Sequence, residues 1–324
     1  MDSSFNLRLN RGGWWIGLLV ILSSCETLVG IVPESRIGKQ KAQLVVHCYL
    51  SAADTLIKVF VSRSTPVFSD KPANPLVEDA LVTLGDGSRE ETLRYDPTLQ
   101  VYTLLPEALG GIRAGKTYYL KVSRGDEVLQ ASTTIPQEPP AISSYQVDSS
   151  YTSGGIFGDY DTTLAVRYTW KDIPGSGHYY RTSGRALVEL AYREYDLEGN
   201  MVIKEGLAWV PLSWDRSFGR RDLQSDINED GHTMESPLGR VTARRATFVD
   251  GISRDHSDKP SRVLSMTLEL LLTDEVYYRY HRSVEQNEDA AENPFAEPAL
   301  LYSNVSGGLG IFASFNSFSI DIKP

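Results

Sequence analysis

The chain has 324 residues, with 32 basic and 42 acidic side chains and a net charge of −10 at neutral pH. That balance excludes nucleic acid as a partner, because phosphate binding needs clustered Lys and Arg. Two cysteines, Cys25 and Cys48, exclude a disulfide-rich scaffold and, with the histidine spacings, a zinc-finger pattern.

Arg8 and Arg11 precede the apolar run Trp14 to Leu22, which ends in Ser23-Ser24-Cys25. A basic start, a short apolar stretch and small residues before a cut make a secretory signal over residues 1–24, and the run is short for a membrane span. Leu22-Ser23-Ser24-Cys25 resembles a lipobox, whose cysteine thiol receives diacylglycerol and becomes the first mature residue. An ordinary signal cut near Cys25, or an uncleaved anchor, is the alternative. Lipid on Cys25 would hold the chain to a bilayer, since each buried methylene contributes roughly 0.8 kcal/mol. Glu26, where an inner-membrane retention signal would place Asp, favours the outer membrane. Residues 25–41 read as anchor and tether.

Residues 42–136 read as an Ig-like β-sandwich. Leu44 to Leu50 and Ile57 to Val61 alternate with period two, Gly85-Asp86-Gly87 and Asp96-Pro97 mark turns, and Ala114 to Val122 is a turn feeding a strand. Cys48 falls within an alternating strand and is expected to be a buried small hydrophobe. Pro136, Pro139 and Pro140 deny backbone donors and mark a linker over 137–140.

Residues 141–324 read as a larger β-rich domain with one C-terminal α-helix. Strands are expected over Thr163–Trp170, Arg185–Tyr195, Met201–Val210, Arg240–Val249 and Val263–Leu272. Thr273 is the expected cap of a helix presenting Val276, Tyr277, Tyr280 and Val284 on one face and ended by Asn293-Pro294. Strands over Ala299–Tyr302, Gly308–Phe315 and Phe318–Ile322 close the chain.

Asp226-Ile227-Asn228-Glu229-Asp230-Gly231 matches the first half of a calcium loop, making Asp226, Asn228 and Asp230 candidate oxygen ligands. The twelfth position is Pro237 instead of a bidentate Glu, so an acidic solvated loop is the competing reading. Gly307-Gly308-Leu309-Gly310 has no helix pattern after it and reads as a close backbone approach, not a phosphate cradle. Trp170, Trp209 and Trp214 read as inter-sheet packing ahead of a sugar- or peptide-stacking edge. Asp255-His256-Ser257-Asp258 carries hydrolase-type groups without a nucleophile elbow. No catalytic residue and no cofactor is assigned.

The stretches Tyr277-Tyr278-Arg279-Tyr280, Asn293-Pro294-Phe295-Ala296-Glu297-Pro298 and Ser303-Asn304-Val305-Ser306-Gly307-Gly308-Leu309-Gly310-Ile311-Phe312 resemble the closing signature of domain-of-unknown-function family 4249, lipoproteins found mainly in Bacteroidota. Leu44-Val45-Val46, Val77 to Leu84, Ala114 to Tyr118, and Trp170-Lys171-Asp172 with His178-Tyr179-Tyr180-Arg181 agree in order. His178 departs from the Asn frequent there. The resemblance implies an accessory of a TonB-dependent outer-membrane transporter in nutrient uptake, with no family catalytic residues to carry over. A structural or adhesive surface protein is the alternative class, and a surface hydrolase a further one.

Overall fold

The computed structural model describes residues 41–65, 75–154, 159–175, 177–216, 221–245, 262–291 and 300–324. Gln43–Ser64 and Ala73–Pro324 belong to one compact unit. It is mainly β, with one α-helix among the described residues.

In chain order the first half contains β1 (Leu44–Ser51), β2 (Ile57–Arg63), β3 (Leu81–Gly85), β4 (Glu90–Thr92), β5 (Arg94–Asp96), β6 (Val101–Leu104), β7 (Thr117–Arg124) and β8 (Glu127–Thr134). A four-stranded sheet runs β4-β3-β7-β8. It faces β1, β2 and β6 across a core of Leu44, Val46, Cys48, Leu50, Ile57, Val59, Val82, Leu84, Tyr118, Leu120, Val122 and Leu129. These are the alternate positions of each strand, as period-two burial requires. The turns form where the small polar residues predict them. The Asp86 carboxylate accepts the Ser88 and Arg89 amides at 2.9 and 2.8 Å. Asp96 accepts those of Thr98 and Leu99 at 2.8 and 3.1 Å.

The second half contains β9 (Ile142–Gly154), β10 (Asp159–Lys171), β11 (Tyr179–Tyr195), β12 (Met201–Pro211), β13 (Ser213–Trp214), β14 (Leu223–Ser225), β15 (Thr233–Glu235), β16 (Gly239–Arg245), β17 (Val263–Thr273), α1 (Glu275–Ala291) and β18 (Leu309–Ile322). The expected hairpin of Arg185–Tyr195 with Met201–Val210 is present, in the register Tyr195↔Met201 to Arg185↔Pro211. A second core gathers Leu164, Val166, Tyr168 and Trp170 of β10 with Met266, Leu268, Leu270 and Leu272 of β17. The Tyr168 hydroxyl crosses it to donate to the Glu269 carbonyl at 2.6 Å.

β18 links the two cores. Leu309 to Phe315 pair in parallel with β1, and Phe315 to Ile322 pair antiparallel with β17. This joins the strands into a 14-stranded sheet ordered β15-β10-β16-β11-β17-β18-β1-β2-β6-β5, with β9, β12, β13 and β14 paired off that path. The two strands expected over Gly308–Phe315 and Phe318–Ile322 are therefore one, because the pairing partner changes at Phe315 without a break in the backbone. No strand forms over residues 300–302; there the Tyr302 amide donates to Ser283 Oγ of α1 at 2.9 Å. The part of Arg240–Val249 beyond Arg245, and Asn293-Pro294, lie outside the described residues.

The helix starts one residue later than expected. Asp274, not Thr273, is the cap: its carboxylate accepts the Tyr277 amide at 2.7 Å, the third helical N–H. Thr273 remains on β17, paired with Phe315, and its hydroxyl donates to the Tyr179 carbonyl at 3.3 Å. Tyr277 then packs on Ile311 and Ala313 of β18 and on Leu223.

Candidate functional site

The family-like C-terminal motif is a joint. The Asn304 carboxamide accepts the Phe312 amide at 3.0 Å and donates to the Phe312 carbonyl at 2.8 Å and the Ser132 carbonyl at 3.2 Å. Ser306 exchanges backbone hydrogen bonds with Gln130 on β8. A methyl group on Gly307 would stand 2.1 Å from the Val128 carbonyl, and one on Gly308 2.6 Å from that of Leu44. The expected close backbone approach is what these glycines permit.

This joint forms one wall of a groove of about 700 Å³ on the outer face of the four-stranded sheet. Because Val82, Leu84, Tyr118, Leu120 and Leu129 point into the core, their neighbours Thr83, Tyr119, Lys121, Gln130 and Ser132 point into the groove. Tyr119 is 54 % exposed, and its cross-strand neighbours Gly85 and Ser132 are small. Arg89 and Glu90 stand at the rim. Among the described residues Arg89, Glu90 and Lys121 form no ion pair, whereas nearby Lys116 pairs with Asp86 and Arg124 with Asp79. The groove thus offers a ring face, an amide and charged groups of both signs that are free to meet a ligand.

A second assembly lies between the β10–β11 and β14–β15 connections. Ligand atoms of Asp172, His178 and Asp226 all fall within 4.8 Å of one another. Asp226 accepts the backbone amides of Gly177 and His178 at 3.1 and 3.0 Å, and its Oδ2 lies 3.1 Å from His178 Nδ1. Asp172 accepts the Tyr180 hydroxyl and the Gly231 amide, each at 2.7 Å. Burial and this contact raise the affinity of the Tyr180 phenol for its proton.

Of the candidate calcium ligands, only Asp226 belongs to this group. Asn228 and Asp230 are exposed, and Asp230 instead accepts the Gly175 amide at 2.8 Å. The carboxylates of the D-x-N-x-D-G stretch reach across to the neighbouring loop instead of converging within their own. Local spacing does not mark Asp172 and His178 as partners of Asp226, because about fifty residues separate them in sequence. The alternation of acid and amide residues was the legible half of the signal.

Beneath α1, Arg181 donates to the Tyr277 hydroxyl at 2.7 Å and pairs with Asp222 at 3.4 Å. His281 packs between Tyr49 and Tyr277, with ring centroids 5.7 and 4.3 Å away, and its buried Nε2 has no hydrogen-bond partner among the described residues. Burial, aided by the Arg181 charge, pulls this imidazole down to about 4.

Cys48 is buried, and burial with the nearby Asp54 charge pushes its thiol well above the ordinary range. Trp170 and Trp214 pack against Tyr168, as expected. Trp209 differs: it is 50 % exposed, with the Arg185 guanidinium 4.7 Å from its ring centre. Cys25, Asp255, His256 and Asp258 lie outside the described residues.

A family model described as Domain of unknown function (DUF4249) matches residues 32–321. No curated protein matches the chain.

Proposed function

This chain belongs to the DUF4249 family, and from that premise we propose that it is a binding protein anchored by lipid on Cys25 to the outer membrane. In this reading it holds a ligand for a TonB-dependent transporter without transforming it. The observation that carries the binding role is the groove on the four-stranded sheet, where Lys121, Gln130 and Arg89 present side chains unpaired among the described residues around the exposed Tyr119 ring. Such a surface suits reversible recognition, in which a few placed polar groups orient a ligand against an aromatic face.

Co-purification from native outer membranes in mild detergent tests the partner. A large barrel protein in near-stoichiometric amount supports the reading, and recovery of the chain alone in several detergents counts against it. The anchor has its own test. In the unfolded mature protein a thioether-linked Cys25 leaves Cys48 as the one reactive thiol. Two reactive thiols, or one with no acyl mass on the N-terminal peptide, would remove the anchor.

A second reading, as an adhesive surface protein, draws on the exposed Tyr151, Tyr195 and Leu197 on the long β9–β10 and β11–β12 hairpins. Loss of adhesion with uptake unchanged, in a strain lacking the protein, would favour it.

A further inference from the structure

We propose that Asp172, His178 and Asp226 form a site for a divalent metal ion of the zinc class, independent of the ligand groove. Three separate stretches deliver these side chains: Asp172 follows β10, His178 precedes β11 and Asp226 follows β14. Asp172 and Asp226 are 2 % and 1 % exposed, yet neither forms an ion pair with Lys or Arg among the described residues. Two buried carboxylates this close repel each other, and buried charge needs compensation. One imidazole can offset at most one of them, whereas a divalent cation offsets both.

The geometry suits such an ion. Ligand atoms at zinc bond lengths of roughly 2.0–2.2 Å stand about 3.4 Å apart around a tetrahedron. His178 Nδ1 and Asp226 Oδ2 are already 3.1 Å apart, and the Asp172 oxygen lies within the same 4.8 Å. The surroundings also match those of metal-ligating carboxylates, whose remaining lone pairs are held by outer donors. Here the donors are the Tyr180 hydroxyl and the Gly231, Gly177 and His178 amides. On binding, the Nδ1 hydrogen that joins His178 to Asp226 leaves, to solvent from a charged ring or to Nε2 from a neutral one, and two metal bonds replace that hydrogen bond. The His178 side chain is 26 % exposed, which leaves a path from solvent and a fourth position for water. Calcium fits poorly, because it takes six to eight oxygens and this set includes a nitrogen.

The test is titration of the full-length protein in detergent, stripped with chelator, against Zn2+, Mn2+ and Ca2+ separately. The expected result is one Zn2+ per chain, a higher unfolding temperature with zinc, and affinity at least about 100-fold weaker in His178→Ala, since even outer-shell changes weaken metal sites by 10–100-fold. His178→Ala keeps the backbone amide that holds Asp226, and circular dichroism checks that it folds. Asp172→Asn serves as the second variant and is expected to lose zinc as well. Absence of zinc binding at micromolar concentrations, or equal binding by wild type and His178→Ala, overturns the proposal. Calcium binding lost in Asp230→Asn but kept in His178→Ala would replace it with a calcium loop.

Discussion

Gly310 lies so close to the Val46 carbonyl that a methyl group in place of its α-hydrogen would stand 1.9 Å from that oxygen. Its φ of 113° is also a conformation that side-chain-bearing residues rarely adopt. Gly310 pairs with Val46 in the parallel ladder between β1 and β18, so the clash falls on a backbone that cannot move without opening the sheet. Gly310→Ala is expected to destabilise the protein by at least about 3 kcal/mol, combining backbone strain with steric overlap. Chemical denaturation reads this directly, and a loss below about 1 kcal/mol would show that the ladder relaxes there.

Asp274 serves two elements at once. One oxygen caps α1 through the Tyr277 amide, and the other accepts the Ser314 amide and hydroxyl at 3.2 Å each and the Thr133 hydroxyl. Asp274→Ala removes a cap worth about 1 kcal/mol and strands buried donors at about 1–3 kcal/mol more. Asp274→Asn keeps an oxygen for the cap and is expected to fall between the two. An Asn variant as stable as wild type would show that the contacts to β8 and β18 contribute little, and equal midpoints for Ala and Asn would show the same of the cap.

His281 gives stability a pH dependence. Its imidazole titrates near 4 when folded and near 6.5 when unfolded, so between those values the unfolded chain binds more protons. The stability present above pH 6.5 is therefore lost as pH falls toward 4, with a slope of up to ~1.4 kcal/mol per pH unit. His281→Phe keeps the packing against Tyr49 and Tyr277 and removes that component. Parallel stability curves for the two proteins from pH 7 to about 4 would rule this out.

Two tryptophans should respond differently to truncation. Trp170 is fully buried against Tyr168 and Tyr180, and Trp170→Ala is expected to cost about 3–5 kcal/mol. Trp209 is half exposed beneath Arg185, and Trp209→Ala should cost no more than about 1 kcal/mol. Unfolding midpoints decide; a large loss at Trp209 would mean its ring is covered in solution.

In the groove, Tyr119→Ala leaves the core side of β7 untouched, because Tyr118, Leu120 and Val122 face inward. Its unfolding midpoint is expected to stay near wild type while, on the proposed reading, uptake through the partner transporter falls. Unchanged uptake in this variant would detach the groove from the function.

Alternation made the sandwich strands legible, since Leu44, Val46, Cys48 and Leu50 already mark one face in sequence. The helix was legible for the same reason at a longer period, although Asp274 outcompeted Thr273 as cap because Thr273 is committed to the β17–β18 ladder. The close approach at the glycines of residues 307–310 is legible in sequence, because steric room is a property of the residue itself. What faces them was not legible: that Gly310 meets Val46 depends on a pairing across more than 260 positions. The same limit hid Asp172 and His178 from Asp226, since chain topology, not local spacing, brings them together. Trp209 departs from the expected packing because its strand lies at a sheet edge, where the outward face has no opposing layer.

The parallel pairing of β1 with β18 also sets an order on biogenesis. If the chain is threaded through a membrane from its N-terminus, β1 arrives more than 250 residues ahead of its neighbour β18. Until Leu309–Phe315 emerges, one edge of β1 has no partner, and unpaired strand edges invite association with other chains. High sequence separation between contacting strands slows folding, so a chain threaded in that way would carry an adhesive border until β18 arrived. A holding chaperone on the receiving side would find its substrate in that interval, and removing β18 would make the interval permanent.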